Sequence, residues 1–310
     1  MISRRNIRVK VMQTLYAIDS MRGQQKPGEA LAILNRKNEE SKKLFTYLIF
    51  FLTEVARYAE VDARHKASKH LPSQADLNVN TKLAGNELLW KILEDPSFKA
   101  SVSHFKLAPV IDTEGVKKIY LNLVASMEYK EYIEEKARDK KSEKQILQFI
   151  FRSLMLPNEN FTQHIEENFI NWDDDAEMME TLVCNYLNKP AVGAFHKIID
   201  AEKLAFAQKL LQTVQEKSEY TLELIKPKLK NWDADRIAAL DLILLQMGVC
   251  EFLFFETIPT RVTINEYIDL AKEYSTPQSG QFVNGLLDNL NKELTATHKI
   301  EKVQFKNSSL

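Results

Sequence analysis

Arg4, Arg5, Arg8 and Lys10 fall within the first 18 residues of the chain, a stretch that holds no acid. At 3.6 residues per turn, Arg5, Met12 and Tyr16 share one side of a helix, with Arg8 at its edge. A guanidinium grips phosphate through paired hydrogen bonds, and an aromatic ring stacks on an unpaired base. Together they suit single-stranded RNA. The same cluster also fits a plain basic cap that keeps a chain soluble, and composition alone favours that reading. Net charge is −1, so the whole chain is no polyanion binder, and any such role rests on local clusters.

Other constellations carry less. Gly280 and Gly285 have the outer spacing of a phosphate loop, but Leu286 and Leu287 stand where Lys and Ser/Thr are required, and no strand precedes them. No G-x-G-x-x-G occurs, so nothing suggests a dinucleotide site. His65, His70, His104, His164, His196 and His298 are scattered, none at ligand spacing from a cysteine or carboxylate. "WDDD" (172–175) gathers three acids; a divalent-ion site is conceivable, but a helix N-terminus attracts acids anyway and is the preferred explanation. Cys184 and Cys250 lie in apolar runs and read as buried thiols without a disulfide framework, which suits a reducing compartment. No catalytic residue, metal ligand or cofactor site is expected.

The elements that must position the basic cluster come next. A length of 310 residues suggests two units, or one with a large insertion. Only 8 Gly and 9 Pro leave too few turn residues for an all-β chain, so the expected class is all-α. The start, "MISRRNIRVKV", lacks the apolar core of a signal peptide. The run from Ile237 to Phe255 carries Asp241, Gln246 and Glu251 and reads as a buried helix, not a membrane span. A cytoplasmic protein is expected.

Ser3 is placed to cap a helix through residue 18, with Ile7, Val11, Leu15 and Ile18 as its apolar stripe. Residues 29–70 read as one or two long helices, 70–86 as a loop, and the charge-dense 127–151 as a solvated helix with Glu131 and Glu134 near Lys130 and Arg138. "FTQHIEENFINWDDD" (161–175) and "TLELIKPKLKNWDAD" (221–235) align without gaps, so two similar sub-bundles or two chance capped units are both open. Each Asp would cap the following helix and each Trp would staple it. The helix over 236–259 would bury Ile237, Leu240, Leu244 and Met247. Thr263 and Glu266 form a capping box for the next, with Ile264, Ile268 and Ala271 inward. Thr276-Pro277 opens the last, which carries Phe282, Val283, Leu286, Leu287, Leu290 and Leu294 on one side. Gly285 inside that helix costs about 1 kcal/mol relative to Ala, so a close helix approach is expected there. Gly280 in its first turn would keep the corner open.

The C-terminal segment "IPTRVTINEYIDLAKEYSTPQSGQFVNGLLDNL" (258–290) resembles the NusB family of transcription antitermination factors. The resemblance rests on Ile258-Pro259, Ile264-Asn265-Glu266, Asp269-Leu270-Ala271-Lys272, Ser279, Phe282-Val283-Asn284-Gly285 and Leu287-Asp288 in ordered spacing. "RRNIRVKVMQTLY" is similar to the family's arginine-rich first helix, and "DRIAALDLILLQMGVCEFL" to its central buried helix. The likeness covers roughly 1–22 and 220–295 well and 157–219 loosely. It implies an all-α fold of NusB-like helical bundles with an additional helical insertion. The boundaries expected are 1–25 for the first helix, 26–155 for the insertion, 156–298 for the core and 299–310 for a flexible tail.

The resemblance also implies no catalysis, no cofactor, no membrane, and binding of boxA-type single-stranded RNA of ribosomal RNA leaders. Partners implied are NusE, a small-subunit ribosomal protein, and an RNA polymerase antitermination complex. By position, the RNA surface would comprise Arg4, Arg5, Arg8, Gln13 and Tyr16 of the first helix with Tyr274, Gln278 and Ser279 of the corner. Asp241 would face the ribosomal-protein partner. Gln278 and Gln281 stand where many members have an acid and a Lys, removing one repulsion and one attraction. A structural helical adaptor, docking polymerase or another factor without RNA, is the alternative. A NusB-like domain also precedes a methyltransferase domain in some enzymes, but too little sequence follows residue 295 to hold one.

Overall fold

The computed structural model describes residues 2–21, 23–24, 26–135, 137–229 and 237–303, apart from the side chain of Ala75. Among these residues there is helix and no strand. The helices are α1 (Arg4–Ser20), α2 (Glu29–Ala67), α3 (Gln74–Leu77), α4 (Glu87–Glu94), α5 (Pro96–His104), α6 (Thr113–Ala125), α7 (Met127–Glu134) and α8 (Lys140–Phe149). They continue with α9 (Glu159–Asn168), α10 (Trp172–Asn188), α11 (Ala201–Glu216), α12 (Ser218–Ile225), α13 (Ala239–Phe254), α14 (Thr260–Tyr274) and α15 (Ser279–Ala296). No helix among the described residues is long and apolar enough to cross a membrane.

The chain folds as two compact units. One holds Lys37–Ile199; the other joins Ser3–Arg36 to Asp200–Leu310. The first unit therefore takes in α9 and α10 along with residues 37–155 of the stretch expected as an insertion, while 26–36, with the start of α2, falls in the second unit. Its core is aromatic: Phe51 meets Phe161 at 4.7 Å and Tyr47 meets Phe169 at 4.8 Å between ring centroids. The charge-dense 127–151 stretch is broken in two, because Asp139 accepts from the backbone N–H groups of Lys141 and Ser142 and starts α8 afresh. Its solvated face is interrupted as well. Tyr129, Tyr132 and Glu143 are buried, and Arg138 pairs with Glu143 instead of the nearby helical acids. After α8 the helix widens into a π-helical stretch, Ile150–Met155.

The repeat survives in its apolar part: Ile165 and Ile225 are both buried, as are Phe169 and Leu229. Its second Asn-Trp-Asp, residues 231–233, and the matching Asp235 lie outside the described residues. In the first copy the assignment shifts. Trp172 is the buried first residue of α10, and Asp173, Asp174 and Asp175 occupy the first turn, where the helix dipole favours them, so none is the N-cap.

In the second unit Ser3 caps α1, its hydroxyl accepting from Asn6 N–H, and Ile7, Val11, Met12 and Leu15 face inward. α13 is buried almost all round rather than along one stripe: Leu244, Leu245, Met247, Val249, Cys250 and Phe252 are all inaccessible. The close approach expected at Gly285 occurs elsewhere. Gly285 is exposed, and a Cβ there would meet nothing within 4 Å. At Gly248 of α13 a Cβ would sit 2.8 Å from Leu287, and at Gly280 it would sit 2.8 Å from Lys272. Helical spacing explains the miss: the inward positions of α15 are 282, 283, 286, 287 and 290, which leaves 285 on the outer face. The tail expected to be flexible folds back as far as Val303, whose N–H donates to Glu256 O, while the Lys302 ammonium donates to Glu251 O and Phe255 O.

Candidate nucleic-acid interface

α1 packs on α11 and α13, and its arginine side chains reach three acids of α14. Arg8 reaches Glu266 at 3.3 Å, and Arg5 reaches Glu273 at 2.8 Å and Asp269 at 3.6 Å. These acids recur at spacings of three and four, so they form one stripe on α14. The Arg5 side chain thus reaches the last turn of α14, one residue before Tyr274.

At the base of this arrangement is a buried charge cluster. Glu251 of α13 has no exposed surface. Arg8 donates to it through Nε (2.7 Å) and Nη2 (3.1 Å), Thr263 Oγ1 donates at 3.0 Å and the Tyr267 hydroxyl at 2.8 Å. The Arg8 guanidinium also lies over the rings of Phe206, 5.5 Å away, and Tyr267, 5.9 Å away. Burial opposes the Arg8 cation, but the hydrogen bonds and charge of Glu251 outweigh it and hold its pKa above the ordinary value. Burial, then the charge of Glu251, pushes the Tyr267 hydroxyl well up, so it stays a donor. Thr263 and Glu266, expected as a capping box, lie inside α14 instead. Its N-cap position is Pro259, with no side-chain cap, and both residues are spent on this cluster.

The expected RNA-facing residues consequently divide. Arg4 and Arg5 are partly exposed, with 43% and 36% of their side chains accessible, and Tyr16 is 48% exposed. Gln278 is exposed, and Gln13 and Tyr274 are half-buried. Eleven residues of rise separate Arg5 from Tyr16, roughly 16 Å along α1. Arg8 is buried in the Glu251 clamp and has no accessible fork for phosphate. Ser279 is buried too. Its hydroxyl donates to Asp241 Oδ2 at 2.7 Å and accepts from Thr276 N–H at 3.2 Å, so it shapes the corner from beneath. Asp241, expected to face a protein partner, is likewise buried and ties the first turn of α13 to that corner.

The linear sequence did not single out Glu202, which pairs with Arg4 at 2.5 Å, or Asp269 and Glu273, which pair with Arg5. The stripe at 266, 269 and 273 is readable, but nothing local says that arginines of α1 reach it. Among the described residues no group of three or more His, Cys, Asp or Glu is placed to hold a metal ion. Cys184 and Cys250 are free; burial pushes the Cys250 thiol up to about 12, which makes it inert.

The family model described as NusB family matches residues 163–292. Over 125 residues the chain is 38% identical to the transcription antitermination protein NusB of Finegoldia magna, covering 40% of this chain and 83% of that protein. The chain belongs to the NusB family. The NusB protein of Salinibacter ruber is 37% identical over 123 residues, covering 37% of this chain and 77% of its own, and that of Bacillus licheniformis 38% over 106, covering 34% and 82%. No solved structure matches the chain. The NusB match includes Asp241, Tyr274, Gln278 and Ser279 and begins after α1. α1 is joined to the family segment by packing on α11 and α13 and by the ion pairs of Arg4 with Glu202, Arg8 with Glu251 and Glu266, and Arg5 with Asp269 and Glu273.

Proposed function

We propose that this protein is a transcription antitermination factor that binds boxA-type single-stranded RNA of ribosomal RNA leaders, without catalysis. It would act in the cytoplasm with the small-subunit ribosomal protein NusE in an RNA polymerase antitermination complex. The observation that carries the reading is the junction at Arg5. Partly exposed Arg5 reaches Glu273, the residue before the corner's Tyr274, and its chain neighbour Arg4 is partly exposed as well, in a chain of the NusB family. Guanidinium forks take phosphates, and Tyr16 and Tyr274 offer rings for unpaired bases. Arg8, Ser279 and Asp241 serve as positioning residues within this reading.

The test is a titration of boxA-like RNA with and without NusE across salt concentrations. Arg5→Ala should weaken binding and flatten the log–log salt slope by about 0.7, the contribution of one single-strand phosphate contact. Unchanged affinity in an Arg4→Ala/Arg5→Ala double variant, with the partner present, would overturn the assignment. A structural adaptor without RNA is the second reading, favoured by one observation: both arginines are already paired with acids of their own unit.

A further inference from the structure

Every exposed arginine of the proposed RNA face is already occupied. Arg4 Nη2 is 2.5 Å from Glu202 Oε1 on α11. Arg5 Nη2 is 2.8 Å from Glu273 Oε2, and its Nη1 is 3.6 Å from Asp269 Oδ2. Asp269 turns its other oxygen toward Lys272, at 3.9 Å. A carboxylate and a phosphate compete for the same guanidinium edge. The buried Arg8 differs, because its acids are inaccessible and nothing from solvent can replace them.

We propose that Glu202, Asp269 and Glu273 are intramolecular competitors for the RNA phosphates and set the affinity and selectivity of this face. The inference rests on the RNA-binding reading above and assigns its regulation to three acids. In the free protein they hold the Arg4 and Arg5 side chains in place. A phosphate must displace them, and they then remain nearby as like charges that oppose the bound strand. The pairs are exposed, so each is weak enough to be displaced. A lone anion gains little by replacing a carboxylate already in contact, whereas a strand brings several phosphates to α1 at once. The acids therefore bias the face toward a polyanion that also fits the corner, and against scattered phosphates.

The experiment compares the full chain with Glu273→Gln, Glu202→Gln, the triple variant with Asp269→Asn, and Arg5→Ala/Glu273→Gln, using boxA-like single-stranded RNA. Asp288→Asn is the control for net charge, since Asp288 pairs with Lys292 on α15 and not with an arginine of the face. Each single acid variant of the pairing set should bind about two- to five-fold tighter, the range expected when an exposed ion pair no longer competes. Asp288→Asn should leave affinity unchanged, and Glu273→Gln should give no gain once Arg5 is Ala. Detectable binding by the triple variant where the natural chain shows none would also support the proposal. If the natural chain binds and Glu273→Gln is no tighter, or Asp288→Asn tightens binding equally, the competitor role fails while the RNA reading stands. Absence of binding by every variant at low salt overturns both.

Discussion

Arg5 and Arg8 look alike in the sequence, three positions apart in one basic run, yet they do different work. Arg8 is clamped by a fully buried Glu251 that also receives Thr263 and Tyr267. Breaking a buried pair leaves an uncompensated charge, so Arg8→Ala should lower stability by about 3–5 kcal/mol. Arg5→Ala, in an exposed pair, should change it by less than about 1 kcal/mol. Denaturant unfolding of the two variants checks this contrast; equal losses would mean that Arg8 is not the anchor. The distinction was not legible in the sequence because it depends on what lies opposite each residue on α13 and α14. Gly285 shows the same limit from the other side. It is exposed with open space around it, so Gly285→Ala should raise stability by about 0.5–1 kcal/mol through helix propensity alone. A lower melting temperature for that variant would show that the backbone there is under a constraint the fold does not display.

At the scale of elements, the helices with strong apolar periodicity were readable: the Ser3 cap, the inward Ile7, Val11 and Leu15 of α1 and the buried side of α15 lie where spacing puts them, whereas Ile18 is half-buried and Met12, expected beside Arg5 and Tyr16, is buried. The misreadings cluster where a side chain with a local motif is used by a distant element. Thr263 and Glu266 have capping-box spacing, but the helix begins at Thr260 and both face the Arg8 cluster. The C-terminal strap is a second instance, since a Lys302 that looks like part of a polar tail caps the last carbonyls of α13. Burial pulls the pKa of Lys302 down to about 8 from 10.5, against the pull of Glu251 and Glu256. A folded pKa below the unfolded one means that the unfolded chain binds the proton more tightly in that interval. This group therefore adds stability as pH rises from about 8 toward 10.5. Unfolding midpoints at pH 8 and pH 10 should rise more for the natural chain than for Lys302→Met. Identical changes would remove Lys302 as the source.

At the scale of the molecule, the family segment and the compact units do not share a boundary. The NusB match runs across residues 163–292, whereas the first unit closes at Ile199. A stretch without a counterpart in the family's pattern invites the idea of a detachable insertion ending at 155, and sequence has no signal to correct it, because α9 and α10 carry ordinary helical periodicity. Packing inside the first unit argues otherwise. Phe51 and Tyr47 of α2 face Phe161 and Phe169, Phe45 meets Tyr186 at 5.9 Å, and the Ser41 hydroxyl donates to Asp175 at 2.8 Å. Each of these pairs has one member inside 26–155 and the other beyond it. Excising 26–155 would uncover Phe161, Ile165, Phe169 and Tyr186 together, and each large apolar side chain left in water forfeits about 1.5–3 kcal/mol. Four such losses, about 6–12 kcal/mol together, are as large as the whole net stability of a typical domain, about 5–15 kcal/mol. The excised chain should therefore lose its cooperative melting transition and associate through the exposed face, as read by calorimetry and light scattering. A monomeric product with one sharp transition would instead make 155/156 a true domain boundary, with α9 and α10 finding their core without the helices that now cover them.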